Sequence, residues 1–197
     1  MKANTNLTRA FYDRPALQVA RDLLGMRLVR YEDGKRVGGI ILETEAYRGE
    51  EDLGCHCKAG RTPRTTVMYG EPGHAYVYFT YGMHWMLNFV VESEGFPAAI
   101  LIRAIFPTEG LDLIEARRGS QPAKRWTDGP AKICQALQID KSFNGADLCD
   151  PTSQLLVEAG QPILDASVTT GPRVGLNKVP EPWKSVPWRF LVAGTDY

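Results

Sequence analysis

The sequence has no apolar run approaching the ~18 residues that a membrane span requires. Its opening residues, Met1-Lys2-Ala3-Asn4-Thr5-Asn6-Leu7-Thr8, lack the continuous apolar core of a secretion signal. A soluble, intracellular protein is the expectation. Cysteine is scarce: Cys55, Cys57, Cys134 and Cys149 are too few and too irregularly placed for a disulfide framework or a zinc ribbon. Cys55-His56-Cys57 has one residue between its thiols and no second ligand pair, so no metal is expected. Net charge is absent as well, 23 basic residues cancelling 23 acidic ones. Proteins that bind mainly phosphate usually carry a basic excess, so global charge argues mildly against nucleic acid. There is no internal repeat, low-complexity tract or long linker, which removes support for a multidomain reading.

What is present is a chain of 197 residues, 44% hydrophobic and 10% aromatic, the size of one domain over 1–197 with a substantial core. A first helix is predicted from Asp13 as cap, through Pro15 in its first turn, to a stop at Gly25. Further helices are predicted over Glu109 to Arg118 and from Pro130 through Leu137. Strand-like runs cover Met26 to Tyr31, Arg36 to Tyr47, Gly73 to Tyr81, Trp85 to Glu92 and Ala98 to Phe106, with shorter ones near Leu155 to Val157, Arg173 to Gly175 and Trp188 to Val192. Several connections are too short for a crossover helix. The predicted class is therefore α+β: a single domain with a curved antiparallel sheet, flanking helices and a protruding hairpin.

Two segments carry chemistry. Gly38-Gly39-Ile40-Ile41-Leu42 leads directly into Glu43-Thr44-Glu45-Ala46-Tyr47, and strand alternation puts Glu43, Glu45 and Tyr47 on one face. A carboxylate at the end of an apolar strand needs a partner, and Arg103, alone in the apolar run Ala98 to Ile105, needs an anion. Glu45 with Arg103 reads equally as a structural ion pair. The second segment, Gly73 to Asn88, reads as a hairpin with Tyr81, Met83 and Trp85 at its tip. These cannot all be core residues, so the tip is either a wedge for a partner or a liability to aggregation. A Gly82-Met83-His84 connection predicts Tyr78 opposite Asn88. Lys58, Arg61 and Arg64 form one basic cluster, and Arg117, Arg118, Lys124 and Arg125 another, both compatible with solvated surface.

Together, Glu43-Thr44-Glu45-Ala46-Tyr47, His56, Thr62-Pro63-Arg64, Tyr76-Val77-Tyr78, Tyr81-Gly82-Met83, Asn88 and Leu101-Ile102-Arg103-Ala104 resemble the alkyladenine (3-methyladenine) DNA glycosylases. Gly129-Pro130-Ala131-Lys132, Gln135-Ala136-Leu137, Lys141-Ser142-Phe143, Arg173-Val174-Gly175 and Arg189-Phe190 continue the same order, so the likeness runs from Leu7 to about Val192. The resemblance implies a cofactor-free, monofunctional glycosylase acting as a monomer on double-stranded DNA that contains damaged purines. By position, Glu45 matches the general base and Arg103 an active-site arginine that supports the catalytic water. Tyr47, His56 and Tyr78 match residues enclosing the flipped base, and Asn88 one that selects purines. Tyr81 matches the wedge and Met83 a minor-groove residue, while the tip departs from the vertebrate form at His84 and Trp85. Glu43 is read as a structural neighbour. Phosphate contacts are expected from Arg61, Arg64 and Lys132, the last beside the helix start at Pro130. No lysine lies within the aromatic and carboxylate motifs, which disfavours Schiff-base chemistry. A nucleoside hydrolase, or an inactive damage-binding module, are the rival readings.

Overall fold

A computed structural model describes residues 6–119 and 121–194. The expectations for the first five residues, and for one domain over the whole of 1–197, extend beyond them. In chain order the elements are α1 (Arg9–Tyr12), α2 (Ala16–Asp22), β1 (Arg27–Glu32), β2 (Lys35–Arg48), β3 (Ala75–Thr80), β4 (His84–Val90), β5 (Ala98–Glu109), α3 (Leu111–Arg118), α4 (Pro130–Ala136), β6 (Leu155–Glu158), β7 (Val168–Gly171) and β8 (Arg189–Val192). The class is α+β, with one open, antiparallel, eight-stranded sheet ordered β3-β4-β5-β2-β1-β6, to which β8 adds against β2 and β7 against β8. Among the described residues no helix is long and apolar enough to cross a membrane.

β2 is the organising strand. β5 follows one edge; the other is shared, β1 pairing with the first half of β2 and β8 with Glu43–Glu45. Gly38 and Gly39 make this close approach possible: an added Cβ would lie 2.0 Å from the Leu28 carbonyl oxygen or 2.1 Å from that of Phe106. The β2–β5 register then slips between Ile41 and Thr44, leaving Leu42 without an opposite residue on one strand and Arg103 without one on the other. Such irregularities re-aim side chains, and this one sits where Arg103 meets the two glutamates. On the apolar side, Ala16, Val19 and Ala20, spaced for one helical face, bury α2 against β2 and β5. A smaller cluster of Cys55, Cys57, Met68, Tyr69, Tyr76, Val90 and Ala99 forms a second apolar seat behind the aromatic residues Tyr47 and Tyr78.

Four sequence expectations are corrected. The first helix is shorter than expected: it starts at Ala16 with Pro15 as its N-cap rather than in its first turn, and ends at Asp22, while Asp13 instead closes a separate turn of helix, α1, ahead of it. The second helix starts at Leu111, since Glu109 still pairs with Gly38 in the sheet and Gly110 turns the chain with φ 66°. Arg173–Gly175 is loop, and the nearby strand is β7. In the hairpin, Thr80 faces His84, so Tyr78 opposes Met86 and Tyr76 opposes Asn88. That is a two-residue slip from the expected Tyr78–Asn88 pair. A slip of two keeps every side chain on its face, so Tyr78 and Asn88 still share one.

Candidate active site

A cavity of about 310 Å³ opens between the β2–β5 bulge, the β3–β4 hairpin and the 173–176 loop, and Tyr47, His56, Tyr78, Tyr81, Asn88 and Arg103 all line it. Its size is at the low end of the ~300–1,000 Å³ of small-ligand pockets. Glu45 lies behind this wall with no exposed surface. Its Oε1 accepts the Val174 backbone N–H at 2.6 Å and lies 3.4 Å from Arg103 Nε, while its Oε2 accepts the Tyr47 hydroxyl at 2.8 Å. Burial pushes its pKa above the ordinary glutamate value; Arg103, the Val174 amide and the Tyr47 hydroxyl pull it back, and Glu43 adds to the rise. A carboxylate has about four lone-pair sites, so capacity remains for a water.

Arg103 is shared. Its Nε donates to Glu43 Oε1 at 3.0 Å, closer than its approach to Glu45, and Arg189 Nη1 stands 3.4 Å from the same Glu43 oxygen. The ion pair exists, and Glu43 holds the arginine from one side while Glu45 remains hydrogen-bonded toward the cavity wall. Two buried carboxylates so close would otherwise repel, and the cation makes their coexistence possible.

The walls are aromatic. Tyr78 meets His56 edge to face, with ring centroids 4.5 Å apart, and tilts against Tyr76 at 5.4 Å. His56 begins the short 3-10 helix His56–Ala59, where the Cys55 thiol accepts the Cys57 amide and so caps the turn. Arg64 Nη2 approaches His56 Nε2 at 3.4 Å, and since a guanidinium only donates, Nε2 accepts. His56 Nδ1 then carries the proton toward the Tyr76 hydroxyl 3.1 Å away. Burial, then Arg64, then Lys58 push the imidazole pKa down to about 4, which leaves His56 neutral at pH 7. Asn88, nearly buried, donates through Nδ2 to the Tyr76 carbonyl at 3.1 Å, which orients its amide at the cavity wall.

The hairpin tip points outward. Tyr81 is 82% exposed and Met83 66%. Tyr81 lines the cavity, whereas Met83, with His84, Trp85 and Lys132, lines a separate groove of about 990 Å³ on the other side of the tip. The expected phosphate ligands are dispersed. Arg64 stacks over the Tyr78 ring at 5.1 Å, Arg61 over Tyr69 at 5.6 Å, and Lys132 is tied to Asp128 at 2.6 Å, away from the cavity.

A sequence profile of the methylpurine-DNA glycosylases matches residues 10–196. The chain belongs to that family. Similar proteins include one from Methanocella arvoryzae, 46% identical over 93% of this chain and 90% of its own. Others come from Desulfitobacterium hafniense (44%, covering 97% of both chains) and Myxococcus xanthus (44%, covering 97% and 92%). All three are provisionally named 3-methyladenine DNA glycosylases.

Sequence reasoning placed Glu45, Arg103, Tyr47, His56, Tyr78, Asn88 and Tyr81 around what proves to be one cavity. It missed the Val174 amide, because a main-chain donor has no side-chain signature. The buried pairing of Asp52 with Arg173 was also missed: Arg173 was quoted within the Arg173-Val174-Gly175 motif, but nothing local points to its partner. Tyr76 was visible only as part of a tyrosine pair on alternate strand positions.

Proposed function

We propose that the protein, as a monomer, flips damaged purines out of duplex DNA and hydrolyses their bond to the sugar, leaving an abasic site. The substrates are of the 3-methyladenine, 7-methylguanine, hypoxanthine and ethenoadenine class. The observation that carries this reading is Glu45: a fully buried carboxylate, fixed by two hydrogen-bond donors and a neighbouring guanidinium, behind an aromatic cavity whose rim is an exposed tyrosine on a hairpin tip.

Acting on a base in a duplex requires extruding it and offsetting the lost stacking, a cost of a few kcal/mol. Tyr81 fills the gap. Tyr47 and Tyr78 supply π faces to the extruded purine, and Asn88 and His56 supply polar edges. Water then attacks the sugar carbon, its proton passes to Glu45, and the electrons of the carbon–nitrogen bond leave with the purine. Burial suits Glu45 to this work, since a raised pKa makes a stronger base and the anion faces the positive charge developing on the sugar. Among the described residues no lysine lines the cavity, which disfavours an amine nucleophile and the strand cleavage that follows from it.

The deciding experiment is Glu45→Gln on duplexes carrying each of the four lesions. Base release should fall by at least ~10³-fold, with binding to damaged duplex retained and strands intact until alkali is added. Undiminished release would remove Glu45 from the mechanism, and breaks without alkali would remove the monofunctional assignment. Free nucleosides as better substrates than duplex would favour a nucleoside hydrolase.

A further inference from the structure

Behind the cavity wall lies an ion pair that touches neither cavity nor solvent. The side chains of Asp52 and Arg173 both have 0% exposure. Arg173 Nη1 donates to Asp52 Oδ2 at 2.5 Å and Nη2 to Oδ1 at 2.8 Å, a two-pronged contact that fixes orientation as well as distance. The same guanidinium donates to the Ala46 carbonyl at 3.1 Å and to that of Trp183 at 3.2 Å. It is also sandwiched between the rings of Tyr47, 4.6 Å away, and Trp188, 5.0 Å away. Asp52 in turn accepts the backbone N–H groups of Arg48 and Gly54. One pair thus ties the end of β2, the 48–54 turn and the 173–176 loop together.

Stability alone is a poor reason for such a pair, because burying two charges roughly cancels their attraction and an apolar replacement serves as well. Three observations point to the catalytic wall. The residue after Arg173 is Val174, whose amide sits 2.6 Å from Glu45 Oε1. The Val174 side chain is 46% exposed, so core packing does not account for its backbone position. Gly54 lies against the pair: a Cβ there would be 2.8 Å from Arg173 Nη2 and 2.7 Å from Leu176 Cδ1, so any other residue must push the ends of these two side chains aside.

We propose that Asp52 and Arg173 are positioning residues, a latch that holds the Val174 amide on Glu45 and the Tyr47 ring against the cavity, and so keeps the base correctly aimed and ionised. The proposal rests on the assignment of Glu45 as general base.

Asp52→Asn tests it, because the sign of the pH effect separates positioning from electrostatics. The charged and titratable groups facing Glu45 are Glu43 and Tyr47 on β2, Arg103 on β5, Tyr78 on β3, Arg189 on β8 and Arg173 in its loop. None is changed by this substitution. Removing the Asp52 charge and leaving Arg173 unbalanced both favour an ionised Glu45, so by charge alone the acidic limb of the rate profile moves down. Losing the Val174 hydrogen bond disfavours the anion and moves the limb up.

The expected result is a limb raised by about half a pH unit or more and a kcat lowered about tenfold, with affinity for duplex carrying an abasic-site analogue within about twofold of the parent. A limb unmoved or lowered, or an unchanged kcat, overturns the latch. If Asp52→Asn does not fold by circular dichroism, Gly54→Ala decides: it crowds the pair without altering charge, and an upward limb supports the latch while an unmoved one overturns it. Glu45→Gln run alongside separates the two levels. Inactivity there with no limb shift in the latch variants sinks the latch alone, whereas activity there sinks the general base and the latch together.

Discussion

The cavity wall and the hairpin tip, a few residues apart along β3, treat water in opposite ways. At the wall, Glu45 gives up all contact with solvent and takes an amide, a hydroxyl and a guanidinium in its place. At the tip, Tyr81 and Met83 leave large apolar surfaces in water, and Tyr81 does so from a left-handed backbone position, φ 52°, that non-glycine residues rarely adopt. Each arrangement is unfavourable in the free protein by itself. One desolvates a charge, and the other exposes apolar surface in a strained turn. The contrast teaches that the wall is built before the substrate arrives, whereas the tip is completed only by something that covers it. A base stack supplies that cover in the proposed function.

The wall breaks most completely through Arg103. Arg103→Met leaves the buried Glu45 without its cation and Glu43 with Arg189 alone, a change of the kind that removes ~3–5 kcal/mol of stability. It should also lower base release at pH 7 by roughly 10²–10³-fold. Because the lost cation favours ionised Glu45, the acidic limb should move up and part of the activity return at higher pH. A rate loss independent of pH would mean that Arg103 acts on something other than Glu45.

The tip yields a smaller effect. Tyr81→Gly removes the ring and relieves the backbone, so the protein should be no less stable by thermal melting. Turnover of lesions in duplex should fall about 10–100-fold, matching a few kcal/mol of lost stacking, while single-stranded substrate is little affected. An equal loss on both substrates would show that Tyr81 serves the cavity rather than the duplex.

The smallest effect sharpens the wall's electrostatics. His56 should show no titration between pH 5 and 8 by NMR, its pKa having been pushed down to about 4. The unfolded chain binds that proton near pH 6.5, so the contribution of His56 to stability is full above pH 6.5 and is lost as pH falls toward 4. Arg64→Ala should raise the His56 pKa only part of the way, because burial is the larger cause. Complete recovery to 6.5 would place the cause in Arg64 alone.

The readable parts of the fold were those with local signatures. β2 and β5 announce themselves as long apolar runs, and α4 by Gly129-Pro130 at its start. The misplacements have local causes too. Pro15 caps the helix it was expected to sit inside, and the three-residue turn Tyr81-Gly82-Met83 began one residue earlier than the glycine suggested. At the site, the side chains were legible because their chemistry is uncommon in an apolar setting. The loop that completes the site was legible only as the motif Arg173-Val174-Gly175, and not as Glu45's neighbour, since Arg173 and Asp52 are 121 residues apart and meet only when the chain folds.

By itself, then, the sequence determined which groups exist to do chemistry. It supplies a carboxylate ending an apolar strand, an arginine alone in another, paired tyrosines and a hairpin with a tyrosine at its turn. Strand alternation is enough to assign Glu43, Glu45 and Tyr47 to a common face. Only the tertiary structure decided how they act on one another. The β2–β5 slip lets one arginine serve two glutamates, and a distant loop brings a main-chain amide to Glu45. The physical reason is that a buried carboxylate is governed by whatever donors surround it within about 3 Å, and proximity across the chain is not written in local pattern.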